Sequence, residues 1–397
     1  MKIESIDFFY LAMPHIRDIG DGSQDALLVR ARSGGLEGWG ECEASPLVSI
    51  AAYVTPMSHS ACKSIASQVE GETLETPADL QRIRRKVREN CLDLLQAPHT
   101  LSGIDIALWD LLGKKSQAPV YALLGYERAY PKLAYASMLF GDTPEQTRRN
   151  VAEAVRRGFR AVKLGWGGYG KELEQDIAHI EEARREAGPD IQIMVDAGTI
   201  WACAPDPVRE AALRLPSLKA ADVAWLEEPF SSYDFDAYAR LAELAAPVRL
   251  AGGEGSHTLE MALHMMRYAK LGFIQIDTGR IGGITPAFEV AQACADSGVR
   301  YVNHTFTTQL ALSASLQPFA GLKDALLCEY PFQPSALASS LTPGLESGAM
   351  FPDDSGHIRL PEAPGLGLAP NPDALREYMV SVNIEVNGRS IYSSPRI

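Results

Sequence analysis

The sequence predicts a parallel (β/α) barrel preceded by a small α+β domain, and two observations lead to this fold class. First, segments typical of strands and helices alternate after about residue 130, with eight strand candidates between residues 132 and 331. Second, chemically reactive side chains recur near the ends of these candidates, roughly 23 to 33 residues apart, which matches the length of one β/α unit. An open doubly wound sheet is the alternative, but none of the predicted helices opens with a GxGxxG or GxxxxGK[ST] phosphate loop.

The chain divides into three predicted parts. Residues 1–128 are expected to form the α+β domain, residues 129–333 the barrel, and residues 334–397, rich in Pro and Gly, a segment that returns to the first domain. In the first part three segments are expected to pair as strands and two to form helices: 2–11, 25–33, 36–44, 76–95 and 101–113. The barrel strands are expected at 132–137, 159–165, 191–198, 223–229, 248–254, 273–279, 300–306 and 325–331. Helices are expected to begin near Pro144, Lys171 and Pro207.

Composition and charge restrict the classes of partner. The 397 residues are 46% hydrophobic and 22% charged, with a formal net charge of −13. This surplus of acidic groups opposes binding to nucleic acid or to an anionic membrane. No run of about 18 apolar residues, as needed to span a bilayer, occurs in the sequence. Six cysteines lie scattered without CxxC spacing, which is typical of reduced thiols in a cytoplasmic protein.

Successive barrel strands carry a chemically competent side chain toward their C-terminal ends. Seven strands do so in sequence order, with Lys163, Asp196, Glu227, Glu254, Asp277, His304 and Glu329. In a (β/α) barrel those ends surround a shared mouth where the active site is built. One such carboxylate alone is usually a helix cap or a turn residue. Seven such side chains at equivalent positions of consecutive strands favour a functional site.

Three carboxylates on adjacent strands predict a metal site. Asp196, Glu227 and Glu254, here called the carboxylate trio, are expected to converge and to repel one another unless a cation lies between them. An oxygen-only cage of this kind suits a hard divalent cation, Mg²⁺ in particular, with positions left for substrate oxygens. Thiolate or paired imidazole ligands are absent from these positions, so zinc is disfavoured.

Across the mouth, the sequence predicts an acid/base pair. Asp277 and His304 follow neighbouring strands, so the carboxylate is expected to fix the imidazole tautomer and to raise its basicity. Lys163 is expected to face this pair. A metal opposite a base is the arrangement for removing a proton next to a carboxylate, because the ene-diolate that forms carries charge that a metal stabilises.

Several motifs carry a family resemblance over almost the whole chain. MVDAG, WLEEP and GGE match the three metal-ligand strands of the enolase superfamily, IQIDTGRIGGIT followed by VNHTF matches its Asp–His pair, and CEY matches its eighth-strand glutamate. The sequence therefore resembles that superfamily, and within it the mandelate racemase group. The resemblance implies a modified TIM barrel, (β/α)7β, with an N-terminal α+β capping domain.

The resemblance also implies roles for individual residues. It implies Mg²⁺ on the carboxylate trio and His304 as a general base or acid paired with Asp277. It implies that Glu329 is a hydrogen-bonding acid near the substrate carboxylate. In the EEP motif the family's ligand is the first glutamate, so Glu228 is expected to support the ligands from behind.

One position departs from the family pattern. A Lys-x-Lys sequence often stands at the family's second strand, whereas this chain has Lys163, Leu164 and Gly165. With FRAVK setting the register, Lys163 matches the lysine that typically holds the substrate carboxylate, and Gly165 replaces the lysine that acts as a base. A register in which Lys163 is the base is the alternative, with Tyr169 or Lys171 as weaker substitutes. The departure counts against two-base racemisation.

A single acid/base suits dehydration. The resemblance implies a Mg²⁺-dependent lyase acting on a small-molecule carboxylate, an aldonic or aldaric sugar acid that becomes a 2-keto-3-deoxy acid. Lactone-forming members commonly carry a lysine on the sixth strand, where this chain has Asp277. The alternatives are a racemase or epimerase of a carboxylate substrate, and a barrel without turnover that acts as a binding protein. Homo-oligomers are usual in the proteins that this chain resembles.

Specificity is expected to come from the capping domain. Residues 15–25 and 43–59 are expected to be loops that fold over the mouth and exclude water. His15 and Arg17 are candidate contacts for the distal end of a substrate, with solvated loop residues as the alternative. Trp201 and His257, just past metal ligands, are candidate pocket residues, and packing between helices is the alternative for Trp201.

Overall fold

The N-terminal part forms an antiparallel sheet covered by helices. A computed structural model describes residues 1–20, 22–43, 45–342 and 350–397. The strands lie in the order β1 (Ser5–Ala12), β2 (Asp25–Ser33) and β3 (Leu36–Cys42). The helices that follow are α1 (Pro46–Val54), α2 (Ala66–Val69), α3 (Pro77–Asn90), α4 (Ala97–Ser116) and α5 (Val120–Leu123).

Local capping residues set the limits of the two predicted helices of this part. A capping box between Thr76 and Asp79 starts α3, as the sequence predicts, but the helix ends at Asn90 instead of residue 95. Pro98 lies in the first turn of α4, so this helix begins at residue 97, four residues before the prediction. The segment between the two helices forms turns, with Leu95 92% exposed.

The second part is a (β/α)7β barrel, which confirms the predicted fold class. Its strands are β4 (Lys132–Leu139), β5 (Ala161–Gly165), β6 (Gln192–Asp196), β7 (Val223–Glu227), β8 (Arg249–Gly252), β9 (Phe273–Asp277), β10 (Arg300–His304) and β11 (Leu327–Pro331). The connecting helices are α6 (Pro144–Arg156), α7 (Leu173–Ala187), α8 (Pro207–Ala220), α9 (Phe235–Ala245), α10 (Leu259–Tyr268), α11 (Ile284–Cys294) and α12 (Gln309–Leu316), the last continued by a 3-10 turn (Gln317–Phe319).

The barrel strands follow chain order from β4 to β10, and β11 returns to pair with β4. Between β10 and β11 the described residues form no backbone ladder, and the side chain of Asn303 takes its place. Its Oδ1 accepts the N–H of Glu329 at 2.9 Å, and its Nδ2 donates to the carbonyl of the same residue at 3.4 Å. The amide therefore closes the barrel next to the predicted site.

The lower half of the barrel interior is packed with aromatic rings. Trp225 lies edge-on to Tyr135 with ring centroids 5.6 Å apart, and 4.7 Å from Phe273. These rings form one interior cluster with Ala161, Met194, Ala251 and Val302. The barrel is therefore closed below, and the polar site lies above this apolar floor.

The C-terminal segment contacts both preceding parts. Its elements are α13 (Ala336–Leu341), β12 (His357–Ile358), α14 (Pro372–Tyr378), β13 (Asn383–Val386) and β14 (Arg389–Ser393). Val380 N–H donates to Tyr10 O at 2.8 Å, and Tyr392 Oη donates to Phe8 O at 2.7 Å, which ties the segment to β1. In addition β12 pairs with barrel strand β4. The PGLESG stretch of this segment, residues 343–348, lies outside the described residues.

No described helix combines the length and the apolar character that crossing a bilayer requires. The longest of them, α4, has 20 residues but carries Asp105, Asp110, Lys114 and Lys115. The six cysteines are all unpaired.

Candidate active site

Three strand ends bring the carboxylate trio together. Asp196 and Glu227 end β6 and β7 and are paired in register, so their side chains emerge at the same level. Glu254 follows β8 after Gly253, whose φ of 125° turns the chain into the mouth in a conformation that favours glycine. One carboxylate oxygen from each of the three lies within 4.8 Å of the other two.

Lys163 lies among these carboxylates. It stands two residues before Gly165, which is level with Asp196, so its side chain starts one layer deeper in the barrel. Its Nζ lies 2.5 Å from Glu227 Oε1, 2.7 Å from Glu329 Oε1 and 3.3 Å from Asp196 Oδ2. Burial by itself would lower the pKa of Lys163, but these carboxylates raise it well above its usual value. The ammonium is therefore held charged and is unsuited to act as a base.

The electrostatics of the trio fit a divalent cation. Burial, together with the neighbouring carboxylates, raises the pKa of Glu227 well above its usual range and also raises that of Asp196, and Lys163 offsets only part of this. The ligand set consists of oxygens alone, which suits Mg²⁺ better than a soft metal. A divalent cation between the three carboxylates would remove the mutual repulsion that the single ammonium of Lys163 does not offset. The residues present therefore fit the predicted Mg²⁺.

His304 and Asp277 form a hydrogen-bonded pair at the ends of β10 and β9. Asp277 Oδ2 lies 2.7 Å from His304 Nδ1, while Oδ1 accepts the N–H of Gly279 at 2.6 Å. His304 Nε2 points to the cavity and lies 3.1 Å from Glu254 Oε2. Burial by itself would lower the pKa of His304, but Glu254, Glu329 and Asp277 raise it to about 10. His304 Nε2 therefore lies on the side of the carboxylate trio.

Glu329 lies between the acid/base pair and Lys163. Its Oε2 accepts the N–H of Thr305 at 2.9 Å and lies 3.9 Å from His304 Nε2. Its Oε1 contacts Lys163. Glu329 is fully buried, at the strand position that the resemblance predicts.

A chain of ion pairs links the capping domain to the trio. Arg280 Nη1 donates to Glu254 Oε1 at 3.0 Å, and Arg280 Nε donates to Glu43 Oε2 of the capping domain. The N–H of Glu43 donates to the carbonyl of Gly279 at 3.2 Å, and His99 contacts the Glu43 carbonyl. Burial by itself would raise the pKa of Glu254, but His304 and Arg280 lower it to about 2. His304 and Arg280, both from the barrel, therefore keep Glu254 ionised, while Glu43 ties Arg280 to the capping domain.

Above these groups lies a cavity of about 260 Å³. Its lining residues from the capping domain are Ile19, Gly20, Gly22 and Glu43, and those from the barrel are Ser137, Met138, Leu139, Lys163, Gly165, Trp166, Asp196, Glu254, Arg280, His304 and Phe306. The charged groups occupy one side and the floor. The side formed by β4, β5 and the loop after β10 is mainly apolar.

Two family models cover most of the chain. Residues 14–125 match the N-terminal domain of the mandelate racemase / muconate lactonizing enzyme family, and residues 146–374 match the enolase C-terminal domain-like family. The chain belongs to the enolase superfamily. The match agrees with the resemblance that the motifs carry.

Relatives within the enolase superfamily are enzymes of several reaction classes. D-galactarolactone cycloisomerase of Agrobacterium fabrum is 30% identical, covering 87% of this chain and 88% of the relative. Arabinonate dehydratase of Saccharolobus solfataricus is 28% identical over 70% of this chain and 71% of its own length. Other matched relatives include a racemase and an epimerase. A crystal structure from Rhodobacter sphaeroides, described as a predicted mandelate racemase, is 52% identical over 100% of both chains with a TM-score of 0.93.

Four residues predicted to bind substrate lie outside the cavity of this superfamily member. Trp201 is 4% exposed and packs against Tyr169 and Arg214, which agrees with the packing alternative. His257 stacks on His99 and lines a separate cavity between the capping domain and the barrel. His15 and Arg17 are exposed on the cap loop. The prediction missed because the local sequence does not determine which face of a loop meets the mouth of the barrel.

The predicted lids are only partly loops. Most of the segment 43–59 forms helix α1, and only Glu43 of its described residues lines the cavity. From the segment 15–25, Ile19, Gly20 and Gly22 line it. Asp21 and Ala44, which fall within these two predictions, lie outside the described residues.

The described cavity residues provide no second base at the positions considered from sequence. Gly165 lies level with Asp196, and an added Cβ would lie only 2.9 Å from Asp196 Cβ, so this backbone has no room for a lysine there. Tyr169 is buried and stacks on Phe140 with centroids 4.6 Å apart. Lys171 is exposed to solvent. The wall opposite His304 is therefore without a replacement for the family's second lysine.

Three supporting residues were not foreseen from the sequence: Glu43, Arg280 and Trp225. Trp225 Nε1 donates to Glu227 Oε2 at 3.0 Å from below. Arg280 follows Asp277 by three residues within the IQIDTGRIGGIT motif, so its place near the mouth was available from sequence. Its contact with Glu43 of the capping domain could not be predicted from the sequence, because it joins residues 237 positions apart.

Glu228 supports the trio without joining it. Its Oε1 accepts from Ser232 Oγ at 3.0 Å and from the N–H of Gly253 at 3.3 Å, so it holds the turn that carries Glu254. Burial, together with Glu254 and Asp196, raises the pKa of Glu228 to about 7. This placement supports the prediction that the first glutamate of EEP is the ligand.

Trp225→Phe is expected to weaken Mg²⁺ binding about 10–100-fold while the protein stays folded. The change removes the indole N–H that orients Glu227, and loss of such an outer hydrogen bond typically costs this much metal affinity. Isothermal titration with Mg²⁺ measures the change. Trp201→Phe is the matched control, because Trp201 is buried away from the trio, and an equal loss there would contradict the assignment.

Without metal, the protein is expected to lose stability as the pH rises from about 7 to 9. The folded-state pKa of His304, about 10, lies above its unfolded value of roughly 6.5, so the folded protein binds an extra proton in this window. The contribution of this proton to the free energy of unfolding is complete below the unfolded pKa. Between the two pKa values it falls by about 1.4 kcal/mol per pH unit. Urea unfolding with a chelator present tests this, and His304→Asn should flatten the slope. A free energy of unfolding that rises with pH would contradict the ion pairs described.

Proposed function

We propose that the protein is a Mg²⁺-dependent lyase that removes the proton α to a carboxylate and dehydrates a sugar acid to a 2-keto-3-deoxy acid. One observation carries the proposal. The His304–Asp277 pair directs His304 Nε2 toward the carboxylate trio, and the opposite wall offers no second base among the described lining residues.

His304 serves first as base and then as acid in this proposal. Nε2 takes the α-proton, and the electron pair of the broken C–H bond passes into the carboxylate group as an ene-diolate, whose collapse forms the C=C bond and expels the β-hydroxyl. The same nitrogen returns its proton to that hydroxyl, so water leaves and an enol remains, which becomes the keto acid. Asp277 holds Nδ1 and stabilises the imidazolium between the two steps. When bound, the cation would stabilise charge developing on the substrate carboxylate and offset the carboxylates that raise the pKa of His304.

Lys163 and Glu329 would position the substrate carboxylate. Lys163 offsets part of the negative charge of Asp196, Glu227 and Glu329 at the floor of the cavity. Glu329 lies within 3.9 Å of His304 Nε2 and can share a proton with an oxygen bound there. Both groups are buried and ion-paired, so their positions are set before the substrate binds.

Ring-opening of a sugar lactone or anhydro sugar is the second candidate. The cycloisomerase of Agrobacterium fabrum covers more of this chain than the dehydratase does. The same base chemistry applies, with a ring oxygen in place of the hydroxyl as leaving group. Racemisation needs an acid/base on each face of the α-carbon, and the wall near Gly165 disfavours it. A barrel without turnover is disfavoured because every predicted metal-ligand position and both positions of the Asp277–His304 pair carry a competent side chain.

The test is a screen of aldonic acids, aldaric acids and their lactones with Mg²⁺ in D₂O. Dehydration is expected to give a 2-keto acid that is lighter by one water and carries deuterium at C3. Ring-opening would give a product without loss of water, and racemisation would give deuterium at C2 without keto acid. The absence of both product and exchange across the screen would overturn the proposal.

A further inference from the structure

The cavity has a charged end and a cap end. Asp196 and Glu254 of the carboxylate trio form the charged end together with Lys163 and His304, so the reacting carboxylate of a substrate lies there under the proposed function. Ile19, Gly20, Gly22 and Glu43 form the cap end. Gly20 rests on the indole of Trp166, since an added Cβ would lie 2.7 Å from its Cγ, and this contact closes the cap loop onto the barrel rim. The distal end of a substrate therefore meets the capping domain.

Each cation that lines the cavity in the described chain is already paired with at least two carboxylates. Lys163 contacts three of them. Arg280, the cation nearest the cap, is shared between Glu43 and Glu254. His304 contacts Asp277 and Glu254. Every cation that a second substrate carboxylate could contact among these residues is therefore already paired with carboxylates of the protein.

The surroundings of the cap end are apolar apart from Glu43 and Arg280, whose guanidinium is shared between Glu43 and Glu254. Ile19, Met138, Leu139, Trp166 and Phe306 line the cavity around the position that a distal group would occupy. A carboxylate there would lose hydration and meet a cluster in which one guanidinium already serves the two carboxylates of Glu43 and Glu254, whereas a hydroxymethyl group has no charge to desolvate.

We infer that the site selects sugar acids with a single carboxylate, the aldonates, and rejects aldarates, with Glu43 as a specificity-determining residue. The inference rests on the proposed function, because it takes the reacting carboxylate to lie at the trio. Like-charge juxtaposition in a partly desolvated site costs enough to give at least about tenfold discrimination.

Matched substrate pairs that differ only at C6 test the inference. Each six-carbon aldonate is compared with the aldarate that has a carboxylate in place of the terminal hydroxymethyl group. The wild-type kcat/KM is expected to be at least about tenfold higher for the aldonate of each pair that reacts. Ile19→Lys places a cation at the cap end and is expected to raise kcat/KM for the aldarate by about tenfold.

Ile16→Lys is the control, because it adds the same charge to the same loop at a residue that is 60% exposed and does not line the described cavity. It is expected to leave the preference unchanged. An aldarate preference in the wild-type protein, or an equal gain in both lysine variants, would overturn the inference. If neither acid reacts, the proposed function fails, and thermal shifts with Mg²⁺ still test selection: the inference requires larger stabilisation by aldonates than by aldarates.

Discussion

His304→Asn is expected to lower kcat/KM for removal of the α-proton by about 10³-fold or more while Mg²⁺ binding stays nearly intact. The variant keeps a polar side chain of similar size but loses the nitrogen that exchanges the proton, and general acid–base catalysis by one group is worth about 10²–10⁴-fold. The loss should appear both in product formation and in solvent deuterium exchange. Isothermal titration with Mg²⁺ separates the loss of chemistry from a loss of the metal site.

The control for this variant is His257→Asn. His257 is the histidine just past a metal ligand, yet it lies in the separate cavity between the capping domain and the barrel. Its replacement should leave kcat/KM within about twofold of wild type, as for a residue outside the catalytic group. Retained exchange in His304→Asn, or equal losses in both variants, would remove His304 from its proposed role.

Glu227→Gln is expected to weaken Mg²⁺ binding by more than about 100-fold and to abolish turnover at moderate Mg²⁺ concentrations. Loss of a hydrogen bond behind a ligand already costs about 10–100-fold, and this change removes a ligand charge itself. The buried carboxylate contacts Lys163 at 2.5 Å and lies within 4.8 Å of both other members of the trio. Titration calorimetry and activity as a function of Mg²⁺ concentration measure the two effects.

Glu228→Gln is the matched comparison, because it makes the same chemical change at the next residue. A glutamine there can still accept the N–H of Gly253, so Mg²⁺ affinity should fall by less than about tenfold. The reverse order of the two losses would show that the second glutamate of EEP is the ligand and that the proposed trio is wrong.

Much of the fold was predictable because strands and helices show in the local pattern of apolar and polar residues. Strand candidates such as those of β6, β7 and β9 combine apolar runs with a carboxylate at the C-terminal end, and parallel strands in a barrel bring these ends to one mouth. The helix limits were less predictable. The start of α4 near Pro98 and the end of α3 at Asn90 depend on packing and capping as well as on the apolar pattern.

The candidate site was predictable for the same reason, but only as a set of strand positions. Asp196, Glu227 and His304 fall at strand ends, where alternation of side chains leaves little choice of direction. Loop residues have no such constraint. His15 and Trp201 illustrate this, since the first is exposed and the second is buried between helices.

The sequence by itself determined the barrel, its capping domain and the order of acidic and basic groups around the mouth, because strand alternation and chain order are local properties. Only the tertiary structure decided that Lys163 is shared among three carboxylates, that Asn303 closes the barrel and that Glu43 reaches Arg280. These contacts join residues far apart in the chain, and their partners depend on how the elements pack. The charge balance of the cavity, and with it the selectivity proposed here, comes from that packing.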